Sequence, residues 1–136
     1  MVVSALPKPL VLCADDYAQH AGVTQAVLAL AAQGRLSATS AMVLSPRWRA
    51  DAAPLRELRE RIDVGLHLDF TSDFAIAAGH GVPLGAAMRR ALLGGFDPDA
   101  ARTAIERQLD GFEAAWGAPP DHVDGHQHVQ QFAGIR

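Results

Sequence analysis

The chain has 136 residues, enough for one domain of modest size, which at this length buries roughly two thirds of the surface its unfolded form exposes. Apolar residues make up 49% and charged residues 20%, with a net charge of −3, so the basic excess that draws proteins to nucleic acid or anionic lipid is missing. No stretch approaches the roughly 18 apolar residues of a membrane span, and residues 1–9 hold one lysine and two prolines, so a cytoplasmic place is expected. Cys13 is the only cysteine, which excludes an intrachain disulfide and a thiolate cluster. Inside an apolar run it reads as a buried, inert thiol.

In chain order, residues 10–14 form a short apolar run bounded by Pro9 and two aspartates, the pattern of a strand buried on both faces. A loop over residues 17–22 precedes Val23, Ala26, Val27, Leu30 and Ala31, which recur at the spacing of one helix face, and Gly34 supplies a C-terminal cap. Residues 41–44 read as a second buried strand. Ser45-Pro46 can open a helix, and the charged residues 55–61 read as a helix with a solvated face. Residues 62–68 form the third strand, which carries His67. The irregular stretch 69–85 is long for a loop in a compact domain, a length associated with bordering or covering a site. A short helix over 84–93 ends at Gly94-Gly95. Asp97-Pro98 then opens a helix whose stripe is Ala101, Ile105, Leu109, Phe112 and Trp116, and a strand over 122–128 follows. Alternation of this kind predicts an α/β fold with parallel strands.

Three polar pieces stand at the ends of these predicted strands: Asp15-Asp16, His67, and Asp124-Gly125-His126-Gln127-His128. On an extended strand, Asp124, His126 and His128 project from one face. Three polar groups on one face are costly to bury unless they are paired or bind a metal. A catalytic metal site takes about three protein ligands and leaves a position open, and one carboxylate with two imidazoles supplies that number. The set suits zinc, manganese, cobalt or iron and does not exclude magnesium. The adjacent aspartates allow one to bind metal and the other to act as base. Taken singly, each piece also has an ordinary reading: a cap for Asp15-Asp16, a satisfied core histidine for His67. His20 reads as a cap neighbour or a cleft residue, His122 as structural, His80 as an exposed loop residue, and Trp48 and Trp116 as packing residues.

These residues resemble the YdjC-type carbohydrate deacetylases, which include chitooligosaccharide deacetylases and hopanoid-biosynthesis-associated deacetylases. The resemblance lies in Ala14-Asp15-Asp16-Tyr17, in Ser37-Ala38-Thr39-Ser40 leading into Met42-Val43, in Gly65-Leu66-His67-Leu68, and in His122-Val123-Asp124-Gly125-His126-Gln127-His128-Val129. It implies a distorted TIM-like (β/α) barrel, of which residues 1–136 would be about the first half, and one divalent metal ion, Mg2+ or Zn2+. It implies hydrolysis of an N-acetyl group on an amino sugar or oligosaccharide. By position, Asp16, His67 and His126 are implied as metal ligands, Asp15 as general base, and Asp124 and His128 as groups that orient ligands or face substrate. The chain departs from the family pattern at Ala18, where glycine is usual, and at Gln130, where histidine is common.

Two alternatives accompany this expectation. One is a non-catalytic metal-binding or oligomerising remnant of such an enzyme; the other is a metal-dependent amidohydrolase or phosphoesterase, the latter disfavoured because no arginine cluster awaits a phosphate. An open half-barrel leaves sheet edges and apolar faces uncovered, so a homodimer is expected, with an N-acetylated carbohydrate as the other partner.

Overall fold

The computed structural model describes residues 8–136; residues 1–7, which make up most of the N-terminal stretch read above, lie outside the described residues. The elements run β1 (Cys13–Tyr17), α1 (Ala21–Ala32), β2 (Ala38–Ala41), α2 (Trp48–Arg56), β3 (Asp63–Leu68), α3 (Asp73–Ala77), α4 (Leu84–Leu93), α5 (Pro98–Trp116) and β4 (Val123–Gly125), followed by a 3-10 segment, His126–Gln131. The strands form one parallel sheet in the order β1-β2-β3-β4, so every crossover steps to the next position in the same direction. This is the α/β architecture the alternation predicts. Among the described residues no helix is long and apolar enough to cross a membrane.

The sheet is strongly curled. In a flat sheet β1 and β4, three strand spacings apart, would lie about 14 Å from one another. Instead, side chains flanking β4 touch β1: His126, just after β4, has Nδ1 2.9 Å from Asp16 Oδ1, and His122, just before it, has Nε2 3.7 Å from Cys13 Sγ. The convex face carries the core. Val64, Leu66 and Leu68 of β3 are buried against the helices, whereas the alternate residues Gly65 and His67 belong to the concave side. From α2 and α5, Trp48 and Phe112 stack with ring centroids 5.4 Å apart, and the Trp48 indole donates to Gly111 O at 3.1 Å. Both tryptophans pack as expected, with Trp116 only 7% exposed.

Several helix boundaries follow the sequence signals. Asp97 accepts from the Asp99 amide at 3.0 Å, Pro98 takes the first helical position of α5, and Gly117 ends that helix at φ 85°. His20 caps α1 by accepting from the Gly22 amide at 3.1 Å, which settles it as a cap.

Other expectations are corrected. The first strand is residues 13–17, not 10–14, and Leu10, Val11 and Leu12 are 76%, 67% and 51% exposed. The ladder starts at Cys13 opposite Ala38, and β1 is an outer strand, so its side chains lack the two-sided burial that an apolar run predicts. Cys13 is accordingly exposed. The second strand is 38–41, not 41–44, because its polar residues are satisfied in place: Thr39 donates to Ala14 O at 2.6 Å and Ser40 to Asp124 Oδ2 at 2.9 Å. The expected helix over 55–61 does not form as such: Leu55 and Arg56 end α2, and short turns over 57–61 carry the chain into β3. The long loop contains a short helix, α3, whose Ser72 cap accepts from the amides of Phe74 and Ala75. His80 in that loop is half-buried, its Nε2 donating to Asp69 O at 3.1 Å, rather than exposed.

Phe112 is fully buried between the sheet and its helix neighbours. Replacing it with alanine should destabilise the protein by about 3–5 kcal/mol in urea unfolding, whereas alanine at the exposed Leu93 should stay within about 0.5 kcal/mol.

Candidate metal centre

The predicted strand over 122–128 ends early, and that change shapes the site. After Gly125 the chain turns: Gln127 and His128 adopt φ of 53° and 62° within the 3-10 segment. A Cβ at Gly125 would collide with the Gln130 side chain, so the turn folds back tightly onto this position. Asp124, His126 and His128 therefore do not share one strand face. His126 is carried toward β1, while His128 is exposed and outside the cluster.

On the opposite edge, β1 is irregular between Ala14 and Tyr17, and Asp16 sits at φ 62°. That distortion places the neighbouring aspartates differently. The Asp16 carboxylate faces His67 and His126, at 3.2 Å from His67 Nε2 and 2.9 Å from His126 Nδ1. Asp15 is exposed, and its carboxylate falls within 4.8 Å of donor atoms of His67 and Asp124. The segment is anchored from outside the site: Tyr17, fully buried, donates to Asp51 O at 2.7 Å, and Ser45 donates to Ala18 O at 2.6 Å.

His67, 3% exposed, lies at the centre. Its Nδ1 donates to Asp124 Oδ1 at 2.7 Å, and its Nε2 faces Asp16. The Ser40 hydroxyl lies 3.1 Å from His67 Nδ1 and donates to Asp124 Oδ2, fixing that carboxylate. The sequence shows Ser40 only as part of the Ser37-Ala38-Thr39-Ser40 motif, with no role attached; in the ladder its hydroxyl stands opposite Gly65, on the concave side with His67. Burial alone disfavours the imidazolium of His67, but the hydrogen bonds to Asp124 and Asp16 outweigh it and raise its pKa to about 9. The donors His126 and His67 hold Asp16 well below the usual carboxylate range. Burial pushes Asp124 up, yet its bond to His67 leaves it lowered.

One donor atom each of Asp16, His67 and His126 lies within 4.8 Å of the other two, so these three residues could hold a metal ion. The two O···N separations, 2.9 and 3.2 Å, fall among the roughly 2.9–3.4 Å ligand edges that bonds of 2.0–2.1 Å produce in octahedral and tetrahedral sites. The Asp124 bond to Nδ1 fixes the tautomer with Nε2 directed at the cluster, the usual support of a ligating histidine. A depression of about 380 Å³ opens beside His126, bordered by Gln19, Ser72, Asp73, Phe74 and Gln127. The similarly sized hollow at Phe70, His80, Arg90 and Phe96 includes none of the cluster residues.

The profile of the family described as YdjC-like protein matches residues 9–136. The chain belongs to this family. Among curated relatives, a chitooligosaccharide deacetylase of Serratia marcescens is 30% identical over 91% of this chain and 51% of its own length. One from Proteus mirabilis is 26% identical over 93% of the chain and 51% of its own length. The chain thus spans about half the length of the curated relatives it matches. A solved structure from Enterococcus faecalis V583, a candidate cellobiose-phosphate cleavage protein, superposes with a TM-score of 0.74 at 20% identity, over 88% of this chain and 49% of that one. That likeness concerns the fold: the YdjC-like chain follows half of a larger α/β structure.

His67 gives this YdjC-like centre a pH signature when metal is chelated. With its folded pKa raised from 6.5 to about 9, its stabilisation is complete below about pH 6.5 and is lost as pH rises through about 9. Urea unfolding of the metal-free protein should show a fall on the order of 3 kcal/mol between pH 6 and 10 that the His67→Ala variant lacks. Parallel pH profiles for the two proteins would contradict the assignment.

Proposed function

We propose that this chain forms the metal-binding half of a carbohydrate deacetylase that hydrolyses the N-acetyl group of an amino sugar or oligosaccharide, releasing acetate and a free amine. The single observation that carries the reading is the convergence of Asp16, His67 and His126 from three separated segments onto one point, supported by the names of the relatives. Asp16, His67 and His126 would hold one divalent ion. Bound there, Mg2+ or Zn2+ supplies Lewis acidity toward an amide carbonyl and lowers the pKa of a water.

The residues divide the remaining work. Asp124 keeps the His67 proton on Nδ1, and Ser40 keeps Asp124 in place, so that Nε2 stays available as a ligand atom. Asp15 would accept a proton from attacking water, a role supported by its exposure and by its carboxylate lying near His67 and Asp124. The depression beside His126 gives an N-acetyl sugar an approach to the cluster. His128, exposed beyond the turn, would meet substrate rather than support a ligand. The apolar edge at Leu10, Val11 and Leu12 is exposed, and we assign it to association with a second copy, which gel filtration would register as a dimer.

Alanine at Asp16 or His126 should remove tightly held metal, measured per chain after gel filtration. Asp15→Asn should retain the metal and lower acetate release from N-acetylated chitooligosaccharides by at least about 100-fold. Undiminished acetate release in Asp15→Asn would refute the base assignment. Metal uptake without any acetate release by the unaltered chain would favour the metal-binding remnant.

A further inference from the structure

A second group of ligand atoms lies on the same concave side, and two of its three residues, Cys13 and His122, have no role in the arrangement above. Cys13 Sγ, His122 Nε2 and an Asp124 carboxylate oxygen lie within 4.8 Å of one another. Cys13 opens β1 and His122 immediately precedes β4, the two outer strands, and their side chains meet only because the sheet is curled. Gly65 of β3 makes room for the contact. A Cβ there would collide with the His122 imidazole, so any other residue at 65 would displace the ring.

We propose that Cys13, His122 and Asp124 form a second metal site, separate from the Asp16, His67 and His126 centre, that takes a soft or borderline cation such as Zn2+ or Cd2+ and rejects Mg2+. The observed Sγ···Nε2 separation of 3.7 Å carries the argument furthest. In a tetrahedral zinc site, bonds of about 2.3 Å to sulfur and 2.0–2.1 Å to nitrogen set those two ligand atoms about 3.6 Å apart, so the pair already stands at a coordination edge. Three protein ligands leave one position for water. A thiolate with an imidazole selects zinc-like ions over magnesium, which requires an oxygen shell.

The alternative use of this pair, a thiol nucleophile activated by His122, is opposed by the surroundings. Burial, then the charges of Asp124 and Asp15, push the thiol up to about 11, whereas a nucleophilic cysteine needs a depressed pKa. The same carboxylates attract a cation, and metal binding would displace the thiol proton to solvent.

Cys13 is the only cysteine, so any thiolate-to-metal charge-transfer absorption must arise from it. The metal-stripped protein is titrated with Cd2+ and followed by ultraviolet difference absorption. The expected result is a charge-transfer band that saturates with one bound cation at this site. It should be absent in Cys13→Ser, weakened more than about tenfold in affinity in His122→Ala, and retained in His126→Ala, which lacks a ligand of the first centre. Magnesium should produce no band. No band with excess Cd2+, or a band whose affinity is unchanged in His122→Ala, would overturn the proposal. Because the His126→Ala variant reads this site alone, the result is independent of whether the chain deacetylates anything.

Discussion

The imidazole of His67 is gripped by two carboxylates, Asp124 at Nδ1 and Asp16 at Nε2, and the three residues come from β3, β4 and β1. No flat four-stranded sheet could make that arrangement, because β1 and β4 are its outer strands. The grip and the curl therefore imply one another. Curling brings Asp16 and His126 within hydrogen-bond distance across the concave face, and it also brings Cys13 to His122. The asymmetry of the grip decides the chemistry. Asp124 is itself held by Ser40 and so fixes one nitrogen, while the other nitrogen is turned to a carboxylate and a second imidazole in the manner of metal ligands.

The centre is assembled at a local cost. Among the described residues the non-glycine positions at positive φ are Asp16, Ala18, Gln127 and His128, and all flank the cluster. Each such conformation costs on the order of 1 kcal/mol or more. On the β1 side the cost is offset by bonds from outside the site, from buried Tyr17 to Asp51 and from Ser45 to Ala18. On the other side fully buried Val129 pins the turn. Ala18, at φ 70°, belongs to this group and holds the strained turn with a residue less permissive than glycine.

Much of the fold was legible because its signals are local. The α5 stripe ending at Trp116, the Asp97-Pro98 start and the β3 run around His67 each carry their own period or cap, and each forms as expected. Asp15-Asp16, His67 and the run from Asp124 to His128 stood out as polar groups at the ends of apolar runs, but the choice of Asp16, His67 and His126 among them came only from the family resemblance. What failed was geometry set by tertiary context. Alternation along 122–128 implied one shared face, but the chain leaves the sheet after Gly125 and His128 turns outward. The division between Asp15 and Asp16 depends on an irregularity in β1 that no periodicity announces. Cys13 looked buried because its run is apolar; its outer-strand position, a property of the whole sheet, leaves it exposed. Ser40 appeared only inside a motif and its role was missed, because a serine in a strand has meaning only once its neighbours are known.

The most direct test of the central claim is anomalous diffraction from crystals soaked in limiting Mn2+. The account predicts one strong peak bonded to Asp16 Oδ1, His67 Nε2 and His126 Nδ1, with the His67 Nδ1 bond to Asp124 intact. A peak bonded instead to Asp15 and Asp124, or well-ordered side chains with no peak between them, would contradict it.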